Sequence, residues 1–296
     1  MELPRLTLAL GGGGARGFAH LGAIEALLEQ GFEFDRIVGL SSGSIAGAMF
    51  AFDQDIHAIQ RRTLQFLLSP QFQKHQATLF GAAADDEDAD VGGLYGWYNR
   101  VLQYLRGNQR LVRIVTQPAL LPGIILHEVV DYLLPDANIE DALIPLSIVT
   151  VDLRSGHTVV CERGSLRQAV RASCAVPGMF PPVSIDGMLC CDLGVVNSLP
   201  TMVARSYDPQ RLVAVDVSSP MKRVAACDTA MEILVRMDEV SEQLCRAQAR
   251  QLADVLIHPD LPTIEWFDFS NVEQVISAGR FATHQAYRIL RAGCDS

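Results

Sequence analysis

Lysine is nearly missing from this chain: Lys74 and Lys222 are the only two among 296 residues. Nothing in the fold or the chemistry below explains that scarcity. With 24 Lys+Arg against 34 Asp+Glu, the formal net charge is −10. A chain so acidic lacks the basic footprint of a nucleic-acid binder, and it has no global attraction to an anionic membrane. Long apolar runs are missing too. None reaches the roughly 18 residues that a membrane span needs, so any membrane contact is expected to be peripheral. Met1-Glu2-Leu3-Pro4-Arg5 has no basic stretch followed by an apolar core, and no secretory leader is expected. The seven cysteines are odd in number and show no Cys-x-x-Cys spacing. That argues against a disulfide frame or a zinc site. It favours reduced thiols in a cytoplasmic compartment, with membrane contact, if made, at the inner face.

What is present is a core-forming composition. The chain is 49% hydrophobic and 20% charged, with a mean hydropathy of +0.19. Short β-branched runs alternate with helical periodicity from end to end, which predicts an α/β fold in one domain over 1–296. Strands are expected at Leu6–Leu10, around Ile37-Val38, at Leu146–Val151, Thr158–Cys161, Cys190-Cys191, Leu212–Val217 and Val255–Ile257. A helical insertion is expected over about 53–145. Within it, Asp85–Asp90 reads as a solvated acidic loop. Tyr95, Trp97, Tyr98 and Tyr104 interleave with Arg100, Arg106, Arg110 and Arg113. That pattern fits either a lipid-facing segment or a surface helix with its rings turned inward. The apolar stretch Leu120–Leu134 could wall a cavity. A helix over about 228–252 gathers Met231, Leu234, Met237, Val240 and Leu244 near one face. Ser270 and Glu273 have the spacing of a capping box.

Two turns carry chemistry. Gly39-Leu40-Ser41-Ser42-Gly43 follows an apolar strand and precedes a small-residue helix, the setting of a nucleophile elbow. Its flanks must be tiny for so sharp a turn to close, and the helix that follows points free N–H groups at the serine. The glycine run Gly11–Gly14 with Ala15-Arg16-Gly17 also sits between a strand and a helix. Its exposed N–H groups suit an anion, either a pyrophosphate or the oxyanion of acyl transfer. A dinucleotide site wants an acid at the carboxyl end of the second strand. Here that tip holds Ser41, while Asp35 precedes the strand. No Gly-Lys-Ser/Thr follows, so a P-loop is excluded.

With these residues in view, the chain resembles the patatin-like phospholipases, especially bacterial ones. The resemblance rests on four ordered stretches: Gly12-Gly13-Gly14-Ala15-Arg16-Gly17, Gly39-Leu40-Ser41-Ser42-Gly43, Arg171–Pro182, and Asp192-Leu193-Gly194. It implies a three-layer α/β/α sandwich with a mostly parallel sheet. It further implies a serine acyl hydrolase acting on phospholipid or lysophospholipid esters without metal or cofactor. Ser41 is then the nucleophile and Asp192 its base, with Gly12, Gly13, Gly14 and Ala15 around the oxyanion. Arg16, Gly17, Gly39, Gly43 and Gly194 would support them. Leu193 departs from the family's Asp-Gly-Gly or Asp-Gly-Ala. If that position needs φ > 0, leucine would displace the Asp192 carboxylate. Two alternatives follow: a lipid-binding or regulatory protein with an impaired dyad, or a Ser41–Asp192–His258 triad esterase. His20 reads as a hydrogen-bonded helix histidine. Oligomeric state is not legible.

Overall fold

A computed structural model describes residues 3–292 except 71, 74–118, 120, 225–226, 262–263 and 266–267. The acidic run and the aromatic–arginine segment lie outside the described residues. The described elements, in chain order, begin with β1 (Leu6–Leu10), a short 3-10 turn (Gly14–Phe18), α1 (Ala19–Glu29), β2 (Phe34–Leu40), α2 (Ser42–Asp53) and α3 (Ile56–Leu67). After the undescribed stretch come α4 (Ile124–Leu133), β3 (Leu146–Asp152), β4 (Thr158–Cys161), α5 (Leu166–Ser173), β5 (Val183–Ile185) and β6 (Met188–Cys191). The rest are α6 (Thr201–Arg205), β7 (Leu212–Val215), α7 (Ala230–Arg250), β8 (Val255–Ile257) and α8 (Val272–Ala292).

One sheet holds the eight strands in the order β5-β6-β3-β2-β1-β7-β8, with β4 also paired to β3. The run β3-β2-β1-β7-β8 is parallel, and β4, β5 and β6 close one side antiparallel. All five residues of β1 are buried, as expected of a parallel strand covered on both faces. Alternate residues feed separate cores. Leu8, Leu10, Ile37, Val213 and Val215 pack under α1, α2 and α8, while Ala9, Val38, Leu40, Leu212 and Ala214 pack with Ala204 of α6 and Ala249 of α7. The result is the expected three-layer α/β/α sandwich.

Packing decides the face of one helix and the start of another. The apolar stripe of α7 faces outward: Leu234, Met237 and Leu244 are 64%, 54% and 63% exposed. Its inward side instead carries Arg246 and Ala249, with Arg250 paired to buried Asp216 at 2.5 Å. Charge pairing decided that face, not apolar periodicity. Ser270 does not cap α8, because its hydroxyl turns back to Asp268 at 2.5 Å. A capping box does open α7, between Thr229 and Glu232. Among the described residues, no helix is long and apolar enough to cross a membrane.

Candidate active site

The register places the two chemical turns side by side. Leu10, the last residue of β1, pairs with Gly39 near the end of β2, so both chains leave the same edge of the sheet. At that edge Ser41 has φ 51° and ψ −125°, a conformation a serine rarely adopts. Tertiary bonds hold it there. The Ser41 N–H donates to Ser173 Oγ at 2.8 Å, and Ser173 in turn donates to the Val149 carbonyl at 2.7 Å. The Ser41 carbonyl accepts from Ser44 Oγ at 2.6 Å and from Ser44 N at 2.8 Å. The flanking glycines are a matter of space. A β-carbon on Gly39 would lie 2.6 Å from Ser44 Cα, and one on Gly43 would run into the Leu10 carbonyl.

Asp192 follows β6 and is buried, with 2% exposure. Its Oδ1 accepts from Gly194 N at 2.7 Å, and the Ser41 side chain lies close enough to favour its charged form. Burial pushes its pKa up to about 6, and the Ser41 side chain and the Gly194 N–H oppose the rise without cancelling it. The concern over Leu193 is not realised. Leu193 opens a short 3-10 turn, Leu193–Val195, and is absent from the positive-φ residues. Its side chain packs on the Val38–Leu40 core instead.

The glycine run lies directly against the elbow, where a β-carbon on Gly12 would sit 3.2 Å from Ser41 Cβ. One expected oxyanion donor is otherwise engaged: Gly12 N–H donates to the Ser198 carbonyl at 2.8 Å. Gly14 and Ala15 open a helical turn, and the first N–H groups of a helix have no carbonyl within it to bond. Arg16 ties the loop to Ser219 Oγ beyond β7. Its Nε has no partner among the described residues, and burial lowers its pKa to about 10. His20 is fully buried and its Nε2 donates to the Gly11 carbonyl at 2.7 Å. Burial lowers its pKa to about 4, so it is neutral at pH 7 and braces the loop. His258 is elsewhere. It follows β8, three strands from β2, roughly 14 Å at the usual strand spacing. Its Nδ1 donates to the Asp216 carbonyl at 2.7 Å.

Ser41 opens into an apolar cavity of about 180 Å³. α4 contributes Ile125, Leu126, Val129 and Leu133 to it, so the stretch expected to wall a cavity does so. Phe66, Phe72 and Phe269 form a row of tilted and edge-to-face rings along it, with centroids 5.1 and 5.2 Å apart. Sequence reasoning assigned no role to Ser173, Ser44 or Ser198, which fix the elbow and the loop. Ser173 lay inside the quoted Arg171–Pro182 stretch, which was the available signal.

Comparison with known proteins gives a family and relatives. The patatin-like phospholipase family model matches residues 8–205. An uncharacterised NTE family protein of Mycobacterium tuberculosis is 32% identical over 221 residues, covering 73% of this chain and 49% of that protein. The human patatin-like phospholipase domain-containing protein 6 is 30% identical over 216 residues, 72% of this chain and 13% of that protein. The chain thus spans about half, or less, of the curated relatives it matches. The crystal structure of VipD from Legionella pneumophila aligns with 99% of this chain and 67% of its own, at 15% identity and a TM-score of 0.48.

Proposed function

The chain belongs to the patatin-like phospholipase family, and from that premise we propose that it is a serine acyl hydrolase working through a Ser41–Asp192 dyad on phospholipid or lysophospholipid esters. One observation carries the reading: a buried carboxylate lies beside the serine of a strained elbow that opens into an apolar cavity. A base with a pKa near 6 is ionised at pH 7 yet basic enough to take a proton from an attacking hydroxyl.

Asp192 accepts the Ser41 proton as Oγ attacks the ester carbonyl. The carbonyl oxygen becomes an oxyanion, and the amides of Gly13, Gly14 and Ala15 stabilise it. Gly12 has no part in this, since its N–H is engaged. The intermediate collapses, the C–O bond to the alcohol breaks, and Asp192 returns its proton to that leaving oxygen. Water, deprotonated by Asp192, then attacks the acyl-serine and releases the fatty acid with Ser41 restored. The apolar cavity shelters the chain meanwhile. Neither alternative finds support: Leu193 imposes no strain on Asp192, and His258 is bonded at the far side of the sheet.

A fluorophosphonate probe tests the proposal. It should label wild type and leave Ser41→Ala unlabelled, and wild type alone should release fatty acid from lysophospholipid. Labelling that persists in Ser41→Ala, or folded wild type that neither labels nor hydrolyses, overturns it.

A further inference from the structure

The cavity beyond Ser41 is lined by apolar residues apart from Ser42 and Cys174 beside the elbow and Thr63 on α3. Thr63 is fully buried. Its hydroxyl donates to Sδ of Met49, another residue of the lining, at 3.8 Å. A thioether is a weak acceptor. A hydroxyl buried beside Phe66 and Leu67 is costly when so poorly paired, and a valine of the same shape would avoid that cost.

The depth of this hydroxyl can be gauged along α2. Met49 stands eight residues past Ser41, about 12 Å at 1.5 Å per residue. Its side chain leans back toward the start of the helix, so the hydroxyl it meets lies roughly 8–12 Å from the nucleophile. An extended chain advances about 1.2 Å per bond, so this depth is about seven to ten bonds from Ser41 Oγ.

We propose that the cavity selects acyl chains bearing a mid-chain hydroxyl, on about carbons 7 to 10, which exchanges a hydrogen bond with Thr63. A plain chain leaves the threonine with its sulfur partner alone, and a hydroxylated chain replaces that with an oxygen. Sites built to meet a substrate hydroxyl reject the analogue that lacks it. This rests on the acyl-hydrolase reading above, and it names the chain that the site accepts.

The test compares kcat/KM for lysophosphatidylcholines carrying stearoyl, 2-hydroxystearoyl and 10-hydroxystearoyl chains. Wild type should favour the 10-hydroxy ester over stearoyl by about three- to tenfold, the worth of one net hydrogen bond. The 2-hydroxy ester should gain nothing. Thr63→Val should erase the ratio, and Thr63→Ser should keep it. An equal wild-type ratio, or a preference that survives in Thr63→Val, overturns the proposal. Displacement of a fluorescent fatty acid from Ser41→Ala by stearate and 10-hydroxystearate reads the cavity without catalysis, and wild type alone decides should Thr63→Val not fold. Selective displacement without hydrolysis by wild type sinks the acyl-hydrolase reading and leaves this one standing. Hydrolysis without selectivity does the reverse.

Discussion

Replacing Asp192 by asparagine should stabilise the protein while silencing it. The carboxylate is buried, and its pKa stands at about 6 against an ordinary 3.8. A raised acid holds its proton more tightly when folded. Folding therefore opposes ionisation, and stability is lost as pH rises from about 4 through 6. At about 1.4 kcal/mol per pH unit, the gap between 3.8 and about 6 costs the wild type about 3 kcal/mol at pH 8. At pH 5 the ionisation is incomplete and the cost is about half that. Asparagine carries no charge to bury, and its Oδ1 can still accept from Gly194 N. It gives up the attraction between the Ser41 side chain and a charged carboxylate, which trims the gain. Urea unfolding should thus show Asp192→Asn more stable than wild type by about 1–3 kcal/mol at pH 8, with an unchanged slope. The margin should shrink toward pH 5, and hydrolysis should be lost at every pH. In wild type, kcat/KM should rise with an apparent pKa near 6. A mutant no more stable than wild type at pH 8, or a margin that ignores pH, would refute the argument that this carboxylate is held against its own burial.

Leu193→Gly, which restores the usual family residue, should cost about 1–2 kcal/mol in urea unfolding and bring no gain in kcat/KM, because Leu193 packs on the core without strain. Gly43→Ala should destabilise by about 3 kcal/mol or more, seen as lost soluble yield, since the added methyl meets the Leu10 backbone. Ser173→Ala leaves the Ser41 N–H and its elbow without their tether; a loss of about 1–3 kcal/mol is expected, together with a fall in kcat larger than any change in KM. His258→Ala should keep kcat/KM within about threefold, because its ring is bonded to the Asp216 carbonyl away from Ser41.

The order of strands and turns was readable from the chain because each is a local property. Apolar runs of the right length, ended by glycine, form β1 and β2 wherever they lie. The elbow is likewise local: the glycines at 39 and 43 are demanded by sterics within a few residues and one neighbouring strand. The same reasoning put the α7 stripe on one face and could go no further. Periodicity says that a helix has two faces, but it does not say which one the rest of the molecule covers. Here buried Asp216 drew Arg250 inward and left Leu234, Met237 and Leu244 in water.

What the folded chain alone decided are matters of distance between residues remote in sequence. Gly12 and Gly14 look alike as letters. The Ser198 carbonyl, arriving from another part of the chain, takes one amide, while the start of a helical turn leaves the other unbonded. Asp192 is an ordinary carboxylate until the sheet and the Ala175 loop close over it and remove its water. Thr63 is one more polar letter on α3 until folding buries it against Met49 Sδ in the cavity wall. Local sterics travel with the sequence, whereas solvation and hydrogen-bond partners exist only once distant segments share the same space.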